Sequence, residues 1–259
     1  MRLYWENYID AAAASVATVS SEAANFPAEN LRDPQRSKPW QTTGDNATES
    51  VVFDLGSARL VHSVILLDYN FATGTDYSPT IQANASNVWS SPSVSEDMPF
   101  SAATWLLYNL SSGQTYRYWR LVFTKPSAAT IRNIGRLYLG SYYTPTDPPD
   151  FDGYTRAAVD LSVKQRTPYG QIYGETRPQY RRLRLDWSRI PNAQKTQLVT
   201  IQESVGIVTP FFAQVDEGGV SDETGEPVYV TLRDAPEYSV AGYDGESKWD
   251  TRWDMEEAL

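Results

Sequence analysis

The chain of 259 residues has no cysteine, a single histidine and no apolar run approaching the roughly 20 residues that a membrane-crossing helix needs. The first absence excludes disulfides, thiolate nucleophiles and thiolate-bound metals together. The second leaves only His62 for a histidine-based triad, and His62 lies inside an apolar stretch, where it reads as a packed or paired strand residue. Positive charge is also short, with 22 Lys and Arg against 32 Asp and Glu, so neither nucleic acid nor an anionic membrane is an expected partner. Many of the acidic residues fall in loops and near the C-terminus, which suits a solvated surface better than a catalytic pair. No enzyme activity, metal or cofactor is expected. The opening MRLYWENYID lacks the basic-then-apolar pattern of a signal peptide, so the expected site of synthesis and folding is a cytosol.

Helical periodicity is scarce after the first 30 residues, while aromatic residues make up 13% of the chain, with 17 Tyr and 8 Trp. Together these favour an all-β protein. Residues 51–70, VVFDLGSARLVHSVILLDYN, read as two buried strands joined by a tight polar connection, because Asp54 and Gly56 supply turn chemistry between two apolar runs. Short strands are expected at 80–83, 87–89, 103–110, 116–124 and 131–139, with loops at 71–79 and 90–99. Residues 141–153 hold three Pro and three Asp, a composition that disfavours a sheet interior. They divide the chain into a β-sandwich over 1–142, a linker over 143–153, a smaller β-domain over 154–240 and an acidic C-terminal arm over 241–259. In the second domain, Leu183, Leu185 and Trp187 alternate with Arg182, Arg184 and Asp186, which predicts a strand with one charged face. The only helix is expected over 190–205, with Pro191 in its first turn, Ala193, Leu198, Ile201 and Val205 apolar, and Gly206 ending it. An acidic loop is expected over 216–226.

Residues 26–140 resemble the discoidin-like, or galactose-binding-like, jelly-roll domains. The matching pieces are Asn30-Leu31 with Asp33, Trp40 with Thr42, Phe53-Asp54-Leu55-Gly56, Val61 to Leu67, Ile81-Gln82 with Trp89, Tyr118-Trp119-Arg120-Leu121, and the closing 131–140. The resemblance implies a sandwich that binds glycans or other surfaces through loops at one end. Some members hold calcium near the Asn-Leu-x-Asp turn, but here Asp33 is followed by Pro34-Gln35-Arg36 instead of Gly and small polar residues. Residues 154–234 look like the β-domain of phage distal-tail and minor-tail proteins, on Leu185-Asp186-Trp187, Ala193-Gln194-Lys195 and Gly206 followed by Pro210-Phe211-Phe212.

Taken together, the resemblances imply a structural component of a long-tailed phage tail tip. Such a component would assemble in the host cytoplasm, reside in the virion tail, and have other tail proteins and further copies of itself as partners. The alternative is a carbohydrate-binding protein that recognises host-surface glycan. Arg182 and Arg184 are candidates for an interface. Trp249 and Trp253, four apart on an acidic arm, either dock on a neighbour or fold back on their own domain. Trp40 is the candidate glycan-facing ring, with core packing as the competing role.

Overall fold

A computed structural model describes residues 1–100, 103–215 and 225–258. The chain divides into a sandwich unit, Glu6–Tyr143, and a sheet unit formed by Met1–Trp5 with Thr144–Leu259. The described residues are all-β with one α-helix: a β-sandwich and a smaller β-unit.

The sandwich unit is built on a ribbon of two 20-residue strands, Thr48–Leu67 and Trp105–Thr124. The expected turn at Asp54–Gly56 is not a hairpin. Val51 pairs with Leu121 and Phe53 with Trp119, while Ser63 pairs with Asn109 and Leu67 with Trp105, so both apolar runs lie along one partner strand. At roughly 3.3 Å per residue such a ribbon would be about 65 Å long if straight, and it must bend to enclose a core. Two irregularities bend it, one where residues 55–58 face Arg117 and one where residues 110–113 face His62. Gly56 permits the first, because its φ is +76° and an added Cβ would lie 2.8 Å from the Ala13 carbonyl oxygen. Asp54 braces the same bend by accepting two 2.7 Å bonds from Arg117.

The two halves of the bent ribbon share one core, in which Val51, Phe53, Trp119 and Leu121 meet Val64, Leu66, Leu106 and Leu139. Ser15–Val19 pairs with the first half of Thr48–Leu67, and Arg136–Gly140 pairs with the second. Thr80–Asn84 and Val94–Asp97 extend the sheet beyond Trp105–Thr124. Val94–Asp97 falls in the expected 90–99 loop, and residues 87–89, expected as a strand, are not one. A polar knot lies beneath this surface: Lys125 Nζ meets Glu49 Oε1 at 3.0 Å, with both side chains fully buried. The hydroxyls of Ser20 and Ser21 donate to the same carboxylate.

In the sheet unit, strands run in the order Arg2–Tyr4, Phe211–Gln214, Val228–Leu232, Ser247–Glu257, Gln179–Pro191 and Thr155–Asp160, with Tyr238–Tyr243 also paired to Ser247–Glu257. This corrects three boundaries. Met1–Trp5 belongs to this unit, because Leu3 pairs with Ala213. Residues 144–153 are no free linker: the Gln194 side chain accepts from Asp147 N–H and donates to Asp147 C=O, both at 2.8 Å. The expected C-terminal arm is a strand at the middle of the sheet, in which Thr251, Trp253 and Met255 are buried in alternation.

The helix spans Asn192–Val205 and seats Gln194, Leu198, Ile201 and Val205 inward, with Gln194 in place of the expected Ala193. Ile190 and Pro191 finish the preceding strand instead of starting the helix. Of the expected acidic loop, residues 216–224 lie outside the described residues. No helix among the described residues is long and apolar enough to cross a membrane.

Candidate functional site

The outer face of the sandwich unit follows from strand alternation. In Thr80–Asn84, Ile81 and Ala83 are buried, which turns Thr80, Gln82 and Asn84 outward. On the neighbouring strand Trp119, Leu121 and Phe123 fill the core, which turns Tyr118, Arg120 and Val122 to the same outer face. The register sets Thr80 beside Val122, Gln82 beside Arg120 and Asn84 beside Tyr118. On the far side, Asp97 lies beside Thr80 and Ser95 beside Gln82. The result is a polar strip about 13 Å long from Thr80 to Asn84.

Side-chain bonds hold the strip in place. Arg120 Nε donates to Gln82 Oε1 at 2.9 Å, and Gln82 Nε2 donates to Ser95 Oγ at 3.2 Å. Thr80 Oγ1 donates to Asp97 at 2.7 Å, and Asn84 Nδ2 donates to the Val88 carbonyl at 2.7 Å. The Arg120 guanidinium lies 4.9 Å from the centre of the Trp89 ring. Trp89 is itself fixed by donating its indole N–H to Asn87 at 2.7 Å. Arg120 forms no ion pair among the described residues, and burial alone pulls its pKa below the ordinary arginine value. At one end of the strip, Tyr77, Ser78, Thr80, Asp97 and Thr124 border a hollow of about 340 Å³, with Tyr77 71% exposed. The arrangement offers three aromatic rings (Tyr77, Trp89 and Tyr118), a planar donor, amides, hydroxyls and one carboxylate along a line.

The residues singled out from sequence fall elsewhere. Trp40 is buried, packs edge-on against Phe123 at 5.8 Å and donates its indole N–H to the Ser21 carbonyl, so it cannot face a glycan. Trp253 is fully buried in its own unit between Trp187 and Phe211, so it cannot dock on a neighbour. Trp249 is half-buried against Lys195, whose Nζ lies 4.8 Å from the ring centre.

Arg182 and Arg184 face their own sheet's acids. Arg182 is 3.8 Å from Asp254, and Arg184 is 2.8 Å from Asp186. Burial raises the Asp186 pKa, but hydrogen bonds from Arg184 and Arg252 outweigh it and hold the carboxyl below its usual range. His62 bonds Ser141 Oγ at 2.9 Å and meets Tyr142 edge-on, the packed role expected. At the Asn-Leu-x-Asp turn, Asp33 is occupied by Lys38 at 3.0 Å and the Gln35 N–H at 2.9 Å. Among the described residues no group of three or more acidic or histidine side chains could hold a metal ion.

A family model described as the XRCC1 N-terminal domain matches residues 9–73. The chain is also similar to solved structures. One is the module CpGH89CBM32-6 of Clostridium perfringens, at 21% identity over 52% of this chain and 98% of that one, with a TM-score of 0.42. A second is a family 32 carbohydrate-binding module from C. perfringens NanJ, solved in complex with galactose, at 16% identity over 55% and 100%, with a TM-score of 0.42. A third is a Streptococcus pneumoniae fucose-binding module, SpX-3, at 14% identity over 53% and 99%, with a TM-score of 0.42. No curated protein sequence matches the chain. At these identities and scores the likenesses say nothing of this chain's ligand, which has to be argued from the strip itself.

Proposed function

We propose that the chain is a carbohydrate-binding protein whose sandwich unit presents its outer strip to a glycan, without a bond-making step. The observation that carries this reading is Arg120, held on Trp89 and Gln82 but matched to no carboxylate among the described residues. A guanidinium in that state offers planar, preorganised donors to sugar hydroxyls, and ring faces such as that of Tyr77 offer flat apolar surface to the C–H side of a pyranose. Thr80, Asn84 and Asp97 add acceptors and donors in register. A strip about 13 Å long suits a short oligosaccharide better than a single ring. Screening the full chain against a glycan panel by tryptophan fluorescence should find a bound class, and Trp89→Ala should weaken it about tenfold with little change in thermal midpoint. A panel with no bound member overturns the reading.

A second reading, assembly in a long-tailed phage tail tip, is favoured by one observation in the sheet unit: an exposed two-stranded ribbon of mixed apolar and charged residues, Val163–Arg166 with Ile172–Glu175. In that reading other tail proteins are partners and the chain resides in the virion. Protein mass spectrometry of purified particles decides it, and absence of the chain from them rejects it.

A further inference from the structure

Among the described residues, three strands of the sheet unit's large sheet pair on one side only: Arg2–Tyr4, Tyr238–Tyr243 and Thr155–Asp160. An unpaired side offers a row of N–H and C=O groups to any other strand, and folded chains ordinarily blunt it. Arg2–Tyr4 is three residues long, with Leu3 and Tyr4 fully buried. Tyr238–Tyr243 carries a register shift between Val240 and Gly242. Thr155–Asp160 has neither protection. It is six residues long, holds no Pro or Lys, pairs with residues 179–184 without a register shift, and is exposed except at the half-buried Val159. Past Asp160 the open side continues along Val163–Arg166, which pairs only with Ile172–Glu175.

The order of residues along this edge selects what it can accept. Two identical strands pair antiparallel about a two-fold axis normal to the sheet, which keeps each face on its own side and passes through one residue. With Ala158 on the axis, Arg156 of each copy stands opposite Asp160 of the other, and on the other face Ala157 stands opposite Val159. Centring on Ala157 gives an equally long pairing but sets Arg156 opposite Ala158, so charge fixes the register. Leu161, 45% exposed, then falls opposite Thr155 and extends the apolar face. Asp160 makes no ion pair among the described residues; its carboxylate accepts from the Ser162 N–H at 2.8 Å and the Gln179 side chain at 3.0 Å. Arg156 lies 3.5 Å from Glu226, which Arg181 holds more closely at 2.6 Å.

We infer that Thr155–Asp160 pairs with the same strand of a second copy, joining two sheet units into one continuous antiparallel sheet. This goes beyond the glycan reading and uses a different unit. Because both copies contribute the same edge, the contact closes on itself as a dimer. Pairing brings the two Ala158 Cα atoms to about 4.5–5.5 Å, the separation a disulfide would span, and the chain has no cysteine of its own.

Sedimentation velocity on the full chain over a concentration series tests this with three charge variants. Wild type should pass from monomer to dimer. R156D and D160R each set like charges opposite one another across the axis, and each should weaken the dimer about tenfold. Mixing the two should recover a heterodimer, because one copy then carries both acids and the other both cations. R156D/D160R, which exchanges the charges, should dimerise as wild type does. Circular dichroism checks that each form is folded. Should a single reversal fail to fold, Ala158→Cys decides: on air oxidation of dilute protein it should form a disulfide-linked dimer faster than Tyr169→Cys, at a position 95% exposed where chance collision is easiest. A wild type that stays monomeric, single reversals that dimerise as well as the parent, or Ala158→Cys that cross-links no faster than Tyr169→Cys overturns the inference. Loss of glycan binding leaves it untouched, because Arg120 and Trp89 belong to the sandwich unit.

Discussion

Two long antiparallel ribbons dominate the molecule and have opposite fates. The sandwich ribbon, Thr48–Leu67 with Trp105–Thr124, bends at two irregularities and encloses a core with both halves. The ribbon of the sheet unit keeps pairing past the sheet's edge and buries nothing over its outer eight residues. Both ribbons pair antiparallel, the second with a break at residues 161–162 and 176–178, so the sense of strand pairing does not decide whether a ribbon folds over. Side-chain alternation does. Phe53, Trp119 and Leu121 supply large apolar groups on one face of the first ribbon, whereas Lys164, Arg166 and Glu175 interrupt the second. A ribbon with a continuous apolar face makes its own core, and one with a broken face is left to meet another surface.

The contrast is broken most severely at the core. Trp253→Ala, in the sheet to which the bare ribbon is attached, should cost about 3–5 kcal/mol in denaturant unfolding. Tyr169→Ala at the tip should stay within about 0.5 kcal/mol of the parent. Glu49→Ala, beneath the sandwich ribbon, leaves Lys125 buried without its carboxylate and should also cost about 3–5 kcal/mol. Gly56→Ala places a side chain at positive φ against Ala13 and should cost about 1–3 kcal/mol, sharpening the claim that the bend depends on one residue.

The smallest effect is in acid. Asp186 in the sheet unit is depressed by Arg184 and Arg252, with burial opposing them. Asp54 at the sandwich bend is depressed by its hydrogen bonds from Arg117. A depressed carboxylate contributes stability that is fully present above its unfolded pKa of about 3.9 and is lost as pH falls through the folded value. Asp54→Asn and Asp186→Asn should therefore each flatten the acid limb of a thermal-midpoint titration below about pH 4 while leaving the alkaline limb alone.

Much of this was legible in the residues, and the failures have a common physical cause. Leu183, Leu185 and Trp187 alternating with charges marked a half-exposed strand, and Leu198, Ile201 and Val205 marked the helix face; both are as expected. Asp54 to Gly56 suits a hairpin turn in the sequence because the same residue types serve a turn or a bulge, and only the distant partner strand distinguishes them. Trp249 and Trp253 lie four apart in an acidic stretch that suggests an arm, yet Trp249, Thr251, Trp253 and Met255 keep a two-residue period, which is the sign of the central strand. The outer strip had no local signature: Gln82 and Arg120 are 38 positions apart and meet only through strand register.

The central claim is that the two ribbons serve two surfaces, a sugar surface on the sandwich and a protein surface on the sheet unit. The most direct measurement is isothermal titration of the best-binding oligosaccharide into wild type, Arg120→Ala and Tyr169→Ala. Arg120→Ala should raise the dissociation constant about tenfold or more, and Tyr169→Ala should leave it unchanged. Equal affinities in all three proteins would contradict the account.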